Sequence, residues 1–439
     1  MRRILLTTSL LALLPTAAAA QCEDFGGVVL CSGVDEDGFA TENSIYLEVE
    51  SDGEVRSLDG EDALALTGPA TQVVVGAGAS VSGSDDGIDF GQAEDGVLGD
   101  RLVQNDGAIS GGDKAIDADG LEFVTVINTG TITSGDKGIR VGTGDDAYLE
   151  NYGTISAGDE AFEAGDRAFV FNDAGAVIET TDEDAIQVGA DAEILNFGSI
   201  LSGTGSGDGI DVDGGTIINF EGASIVSRGF ASDPADAEAG IDVDEGSATL
   251  EVVNLGLIEG QIGILTDPGN DGSQLIENQA TIRGTGGIAL DLGAGEDGLV
   301  LNTLDAVLEG DALFGLGDDL ITLIGDQRAF VGSLGGGDDF TLFDGGTGDD
   351  TIALDSLVTL DDVGMIVASS MLAGAFELDF TNADGSSSLL LFTSFENFLI
   401  GGELFAFGDL SEIPLPAAAP LFAGALGLGG MLRRRRRKA

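Results

Sequence analysis

The sequence predicts an all-β chain: a right-handed parallel β-helix, that is a solenoid, followed by a β-rich C-terminal segment and a C-terminal membrane helix. Three observations carry the solenoid. A short phrase returns at Asn105, Asn128, Asn151, Asn172, Asn196, Asn219, Asn254 and Asn278, at intervals of 23, 23, 21, 24, 23, 35 and 24 residues. A second phrase, centred on Ile116, Ile139, Phe162, Ile186, Ile210, Ile241 and Ile288, falls midway between these asparagines. Gly, Asn or Asp interrupts the chain about every four to six residues, too often for the long runs that a helical repeat needs.

The repeat length leaves few architectures. Leucine-rich repeats need regularly spaced Leu positions, and propeller blades need about 40 residues with four strands each. The remaining solution stacks each period as one turn, with two apolar bursts that pair in parallel with their equivalents above and below. In the phrase around Asn128, Val126, Ile127 and Ile132 are expected to fill the interior, with Gly130 and Asn128 at the corner. A recurring Asn can form a ladder from coil to coil and satisfy groups that would otherwise be buried unpaired. Residues 73–308 correspond to roughly ten coils, a rod about 50 Å long at ~4.8 Å per strand step. The 35-residue interval marks an insertion at about Phe230 to Ala239, on a corner.

Composition narrows the function. Gly accounts for 71 of the 439 residues, there are 7 Pro, aromatics are 6%, and Trp and His are absent. Eight of the 17 basic residues and none of the 78 acids lie in residues 1–20 and 413–439, so 78 acids against 9 bases give residues 21–412 a net charge of −69. Nucleic acid and anionic membrane surfaces are repelled by such a body. Without His, Ser-His-Asp and Cys-His arrangements and His-ligated zinc are excluded. Acid pairs such as Asp85-Asp86, Asp145-Asp146 and Asp318-Asp319 keep a glycosidase dyad open, although coincidental pairs are unavoidable among so many acids. The body's bases are Arg56, Arg101, Lys114, Lys137, Arg140, Arg167, Arg228, Arg283 and Arg328. Lys114 and Lys137 sit at matching repeat positions and are expected to stack on one edge and form salt bridges with neighbouring Asp residues. The chain is therefore expected to be no enzyme, the competing reading being a secreted carbohydrate-active β-helix enzyme.

Both ends read as export signals. Arg2 and Arg3, the apolar stretch Ile4 to Leu14 and Ala18-Ala19-Ala20 form a signal peptide over residues 1–20, entering the general secretion machinery. Cys22 and Cys31, the only cysteines, are expected to form a short disulfide in an oxidising compartment and to pin an N-terminal cap over 21–72. Coils are expected over 73–310, Gly-Asp-rich coils over 311–353, and a β segment with linker over 354–412. In residues 413–439, Ile413-Pro414-Leu415-Pro416-Ala417 precedes an apolar run to Leu432 and the bases Arg433 to Lys438. A short apolar segment followed by arginines is a stop-transfer pattern that holds the tail in the inner membrane with its bases in the cytoplasm.

That tail resembles the VPLPA-type sorting signal of Gram-negative bacteria, with Ile413 in place of Val. The resemblance implies cleavage near Pro414 to Ala417 by an exosortase-like enzyme and delivery to the cell surface or extracellular matrix. The coils, with Ser394-Phe395-Glu396-Asn397-Phe398, resemble autotransporter adhesin passengers, but no run of amphipathic barrel strands follows them. Gly345-Gly346-Thr347-Gly348-Asp349-Asp350-Thr351-Ile352-Ala353 matches the nonapeptide of RTX proteins. This resemblance implies calcium, held by Gly345, Gly346, Gly348 and Asp350 with Asp339 from the degenerate Gly335 to Leu342 as partner. The chain is thus expected to serve as a surface or matrix component in adhesion or biofilm, its ligand unspecified.

Overall fold

The computed structural model describes residues 21–406 apart from 59, 92–98, 233–236, 245, 303–305, 325–341, 355–364, 369–374 and 382–386. The signal peptide, the motif Ile413 to Ala417, the expected membrane segment, Asp339 and Arg328 lie outside the described residues. Among the described residues no helix is long and apolar enough to cross a membrane. The chain is an all-β parallel solenoid of the right-handed type with about 11 turns.

Each turn has three strands rather than two. In one coil these are Val124–Asn128, Thr131–Ser134 and Ile139–Arg140. The next coil lays Tyr148–Asn151, Thr154–Ala157 and Phe162–Ala164 directly over them in parallel. The repeated phrase around Asn128 does not belong to one strand. Its Asn ends the first strand, its Gly turns a corner, and its Ile opens the second, so one apolar burst is split between two faces.

Strand alternation decides which side chains fill the interior. Val124, Val126 and Ile132 are buried, whereas Ile127 projects outward, contrary to the inward place expected for it. The position that alternates inward with Val124 and Val126 is Asn128 itself, which is wholly buried. All eight recurring asparagines are fully buried. Their amide groups bond in series: Asn105 donates to Asn128 at 2.8 Å and Asn128 to Asn151 at 2.9 Å. The series continues through Asn172, Asn196, Asn219 and Asn254 to Asn278, each step at 2.9 Å.

The second amide hydrogen of each Asn also has a partner. Asn196, for example, donates to the Ser224 carbonyl at 3.0 Å, while its own oxygen accepts the Gly198 N–H at 3.1 Å. Two donors and two acceptor positions are thereby satisfied in a dry interior. The column is apolar beyond both ends of the ladder: Asn105 pairs with Val75, which pairs with Val49, and Asn278 pairs with Leu301.

The long interval is accommodated where expected. The chain leaves the second face after Ser224–Val226 and rejoins the third at Ala239–Val243, and the intervening arm is tied down by Gln261. The Gln261 side chain accepts the Ala231 N–H at 2.8 Å and donates to the Ala231 carbonyl at 3.0 Å. In the following two coils, Leu257–Thr266 and Thr281–Asp291 run through the second and third faces as single strands, with a register shift between Gly260 and Ile262.

The ends of the first face are closed by antiparallel strands. Gln21–Asp24 pairs antiparallel with Val28–Ser32, placing Cys22 opposite Cys31, and their sulfurs are joined. Parallel stacking already begins at Val28–Ser32, which pairs with Tyr46–Val49, so coils extend into the segment expected as a cap. At the other end Asn397–Ile400 pairs antiparallel with Glu403–Ala406.

Removing one rung should reveal the ladder's value. Asn196→Leu removes the partners of the Asn172 donor, the Asn219 acceptor, the Ser224 carbonyl and the Gly198 N–H, whereas Asn278→Leu removes those of the Asn254 donor, the Val307 carbonyl and the Ala280 N–H and leaves no ladder acceptor unpaired. With each unsatisfied buried group costing about 1–3 kcal/mol, denaturant titration should show the larger loss for Asn196→Leu. Equal, negligible losses would refute the ladder as a source of stability.

Candidate functional site

Beyond the asparagine ladder, the chain repeats a different buried device. Three turns share one spacing: Gly293-Ala294-Gly295-Glu296-Asp297, Gly315-Leu316-Gly317-Asp318-Asp319 and Gly346-Thr347-Gly348-Asp349-Asp350. They lie over one another, with Ala294 bridged to Leu316 and Leu316 to Thr347. Glycine is required by this stacking. A Cβ on Gly348 would lie 1.5 Å from the Gly317 carbonyl oxygen, and Gly346 has a φ of +81°.

The last residue of each turn is a buried carboxylate, with Asp297 and Asp319 2% exposed and Asp350 0%. One oxygen of each accepts a backbone N–H from the preceding coil. Gln274 N–H donates to Asp297 at 2.7 Å, Asp297 N–H to Asp319 at 2.8 Å and Asp319 N–H to Asp350 at 2.9 Å. Asp350 N–H in turn donates to the Glu396 carboxylate at 3.0 Å. The other oxygen, Oδ2, of Asp297, Asp319 and Asp350 is buried without a hydrogen-bond partner. Burial pushes Asp297 and Asp319 up to about 7 and Asp350 up to about 6, the backbone donors opposing the rise.

Of the calcium-ligating residues expected from the sequence, Gly345, Gly346, Gly348 and Asp350 are in this column. Among the described residues, the turn stacked before Asp350 is Gly315 to Asp319, and Glu396 follows on the other side. Asp339, the partner expected within residues 335–342, lies outside the described residues, and among the described residues the neighbour of Asp350 one coil away is Asp319. The shared Gly-x-Gly-acid-Asp spacing was the signal for Asp297 and Asp319.

A similar carboxylate arrangement occurs beside the inserted arm. Asp208 N–H donates to Asp184 at 2.7 Å, and Ala239 N–H donates to Asp208. Burial raises Asp184 and Asp242 to about 7 and Asp211 to about 8. Asp85, Asp86 and Asp113 also gather at one corner, yet Lys114 Nζ already lies 2.5 Å from Asp113 and 3.8 Å from Asp86.

The cations are largely matched. Lys114 pairs with Asp residues as expected, whereas Lys137 bridges Glu160 and Glu163 instead, at 2.9 and 2.6 Å. Arg56 pairs with Glu36 and Glu54, Arg140 with Asp119 and Glu163, Arg167 with Asp145 and Asp146, and Arg283 with Glu259 and Glu309. A groove of about 570 Å³ beside the arm is lined by Ile262, Leu265, Ile288 and Leu316 with Asp267 and Asp291. Among the described residues, no Lys or Arg lines it.

The fold and these sites define the molecule as a β-solenoid with two internal polar ladders, one of amides and one of carboxylates. Compared with known proteins, the chain matches no family model, no curated protein and no solved structure.

The raised carboxylates set the direction of the pH response. An Asp whose folded value lies above its unfolded value of about 3.9 contributes stability that is complete below about pH 4 and lost as pH climbs through the folded value. Here that window runs from about 4 to about 8. Thermal melts in EDTA should therefore show a falling Tm between pH 5 and pH 8, with a shallower fall in Asp297→Asn with Asp319→Asn. A Tm that rises over this range would contradict the assignment.

Proposed function

We propose that the chain is an exported, non-enzymatic rod that serves as a structural or adhesive component of the cell surface or extracellular matrix. The observation that carries this reading is the use of its polar groups. The recurrent buried amides and carboxylates bond from coil to coil, and the paired bases are held by surface acids rather than gathered around a cleft. Such an interior favours an extended scaffold over a reactive centre. Among the described residues, the groove with Asp267 and Asp291 favours a carbohydrate-active enzyme, since two carboxylates suffice for glycoside hydrolysis.

Export rests on the two ends. The signal-like residues 1–20 route the chain through the general secretion machinery. The Ile413-Pro414-Leu415-Pro416-Ala417 tail then holds it in the inner membrane until an exosortase-like enzyme cuts it. A surface rod of residues 21–412, with 78 acids against 9 bases and so a net charge of −69, stays well solvated and repels nucleic acid.

The carboxylate column is suited to a divalent cation. The unpartnered Oδ2 atoms of Asp297, Asp319 and Asp350 are hard oxygen donors of the kind calcium takes, and the glycine turns bring backbone carbonyls close to them. Bound calcium would supply the positive charge that this buried column lacks and stiffen the C-terminal coils.

Three measurements test this reading. Mass spectrometry of the exported protein should find a C-terminus near Pro414 to Ala417, and retention of Arg433 to Arg437 on exported protein would refute tail processing. A screen of neutral and anionic polysaccharides with and without calcium should show no turnover. In melts at pH 8, calcium should raise Tm by a few degrees, on the order expected from linkage, and Asp319→Asn with Asp350→Asn should abolish the rise.

A further inference from the structure

The first face carries on its outside an apolar stripe that the interior does not use. Residues on either side of each buried Asn project outward, because strand positions alternate. Over four successive coils these outward positions include Tyr152, Phe171, Leu195, Phe197, Ile218 and Phe220, all half-buried except Tyr152, which is 44% exposed. The rings form a ladder with centroids 5.6 Å apart from Tyr152 to Phe171, 5.6 Å from Phe171 to Phe197 and 3.7 Å from Phe197 to Phe220.

Ring stacking accounts for the aromatic column but not for the aliphatic one beside it. Leu195, Ile218 and Val253 occupy consecutive registers and meet solvent on the same face. A contiguous apolar strip of this kind on a protein surface marks an interaction site.

Charge selects the occupant. Glu150, Glu193 and Glu251 project from the strands of this face, and none of its strands from Val124–Asn128 to Leu250–Asn254 contains a Lys or Arg. Glu150 is held in place by the hydroxyls of Tyr148 and Tyr152, which donate to its two oxygens at 2.6 and 3.1 Å. A second copy would set these carboxylates against their own counterparts, and each chain carries a net charge of −61. A partner must therefore be apolar along one line and positive beside it.

We propose that this outer face between Ile127 and Leu255 docks a basic, amphipathic polypeptide. Its apolar side chains lie along Leu195 and Ile218 beside the ring ladder, and its cations meet Glu150, Glu193 and Glu251. The surface goes beyond the structural role proposed above and does not depend on where the chain resides.

The test uses the full chain and three fluorescent peptides of equal length, alternating Lys with Leu, Lys with Ser, and Glu with Leu. The Lys/Leu peptide should bind at least about tenfold tighter than Lys/Ser, a difference of about 1.4 kcal/mol, and Glu/Leu should not bind. Leu195→Ser with Ile218→Ser, which leaves the ring ladder intact, should lose that tenfold preference, whereas Leu201→Ser on the second face should keep it. Circular dichroism melts establish that the variants fold, and if the double variant fails to fold, Glu193→Lys with Glu251→Lys should weaken Lys/Leu binding to the same degree. Equal binding of Lys/Ser, indifference of the folded variants, or displacement of Lys/Leu by neutral dextran would each overturn the proposal.

Discussion

The vertical alignment of successive coils is the constraint on which the other features rest. Each coil has to place its inward amide directly beneath the next, because a buried primary amide has two donors and an acceptor oxygen that water cannot reach. A slip of one residue would turn Asn128 to solvent and drive Ile127 and the outward polar residues into the interior. Apolar columns alone tolerate such errors more readily, since one aliphatic side chain replaces another at modest cost. The amide ladder thus specifies register as well as adding stability, and it runs unbroken from Asn105 to Asn278, across the inserted arm between Asn219 and Asn254.

The change from amides to carboxylates divides the rod chemically. An amide column closes on itself, each side chain serving as donor to the next and acceptor from the last. A carboxylate has no hydrogen to donate when ionised, so Asp297, Asp319 and Asp350 can accept backbone N–H groups yet cannot satisfy one another. Their remaining oxygens call for a proton or a cation. The C-terminal coils are consequently one part of the molecule that responds to pH and ionic conditions, the buried Asp184, Asp211 and Asp242 beside the inserted arm being another, while the amide ladder itself carries no titratable group. The antiparallel strands Gln21–Asp24 and Glu403–Ala406 cover the ends of the stack, which would otherwise offer bare strand edges to other chains.

Much of the fold was legible because the repeat is written twice per coil, by Asn and by the midway apolar residue. The third strand was missed because the Asn phrase reads as one burst, whereas its Gly turns a corner between Val124–Asn128 and Thr131–Ser134; the short strands Ile116–Asp117 and Ile139–Arg140 are the midway phrase itself. Ile127 was misplaced because an apolar residue next to Val126 reads as one burst, whereas alternation sends neighbours to opposite sides. The carboxylate column was half visible: Asp350 stands in a recognisable nonapeptide, but its neighbour Asp319 is 31 residues away, a distance that only coil geometry makes short. The outer stripe was invisible for the same reason, since its six aromatic and aliphatic members come from four coils and look isolated in a chain with 6% aromatics.

Cross-linking tests the stacking most directly. Outward-facing Thr131 and Thr154 pair across adjacent coils, whereas Val177 is one coil further on. Cysteines one strand step apart, about 4.8 Å, are within disulfide reach, and those two steps apart are not. Thr131→Cys with Thr154→Cys should therefore form a second disulfide on mild oxidation, and Thr131→Cys with Val177→Cys should not. Cross-linking of the second pair, or failure of the first in folded protein, would contradict coils that lie one above another in this register.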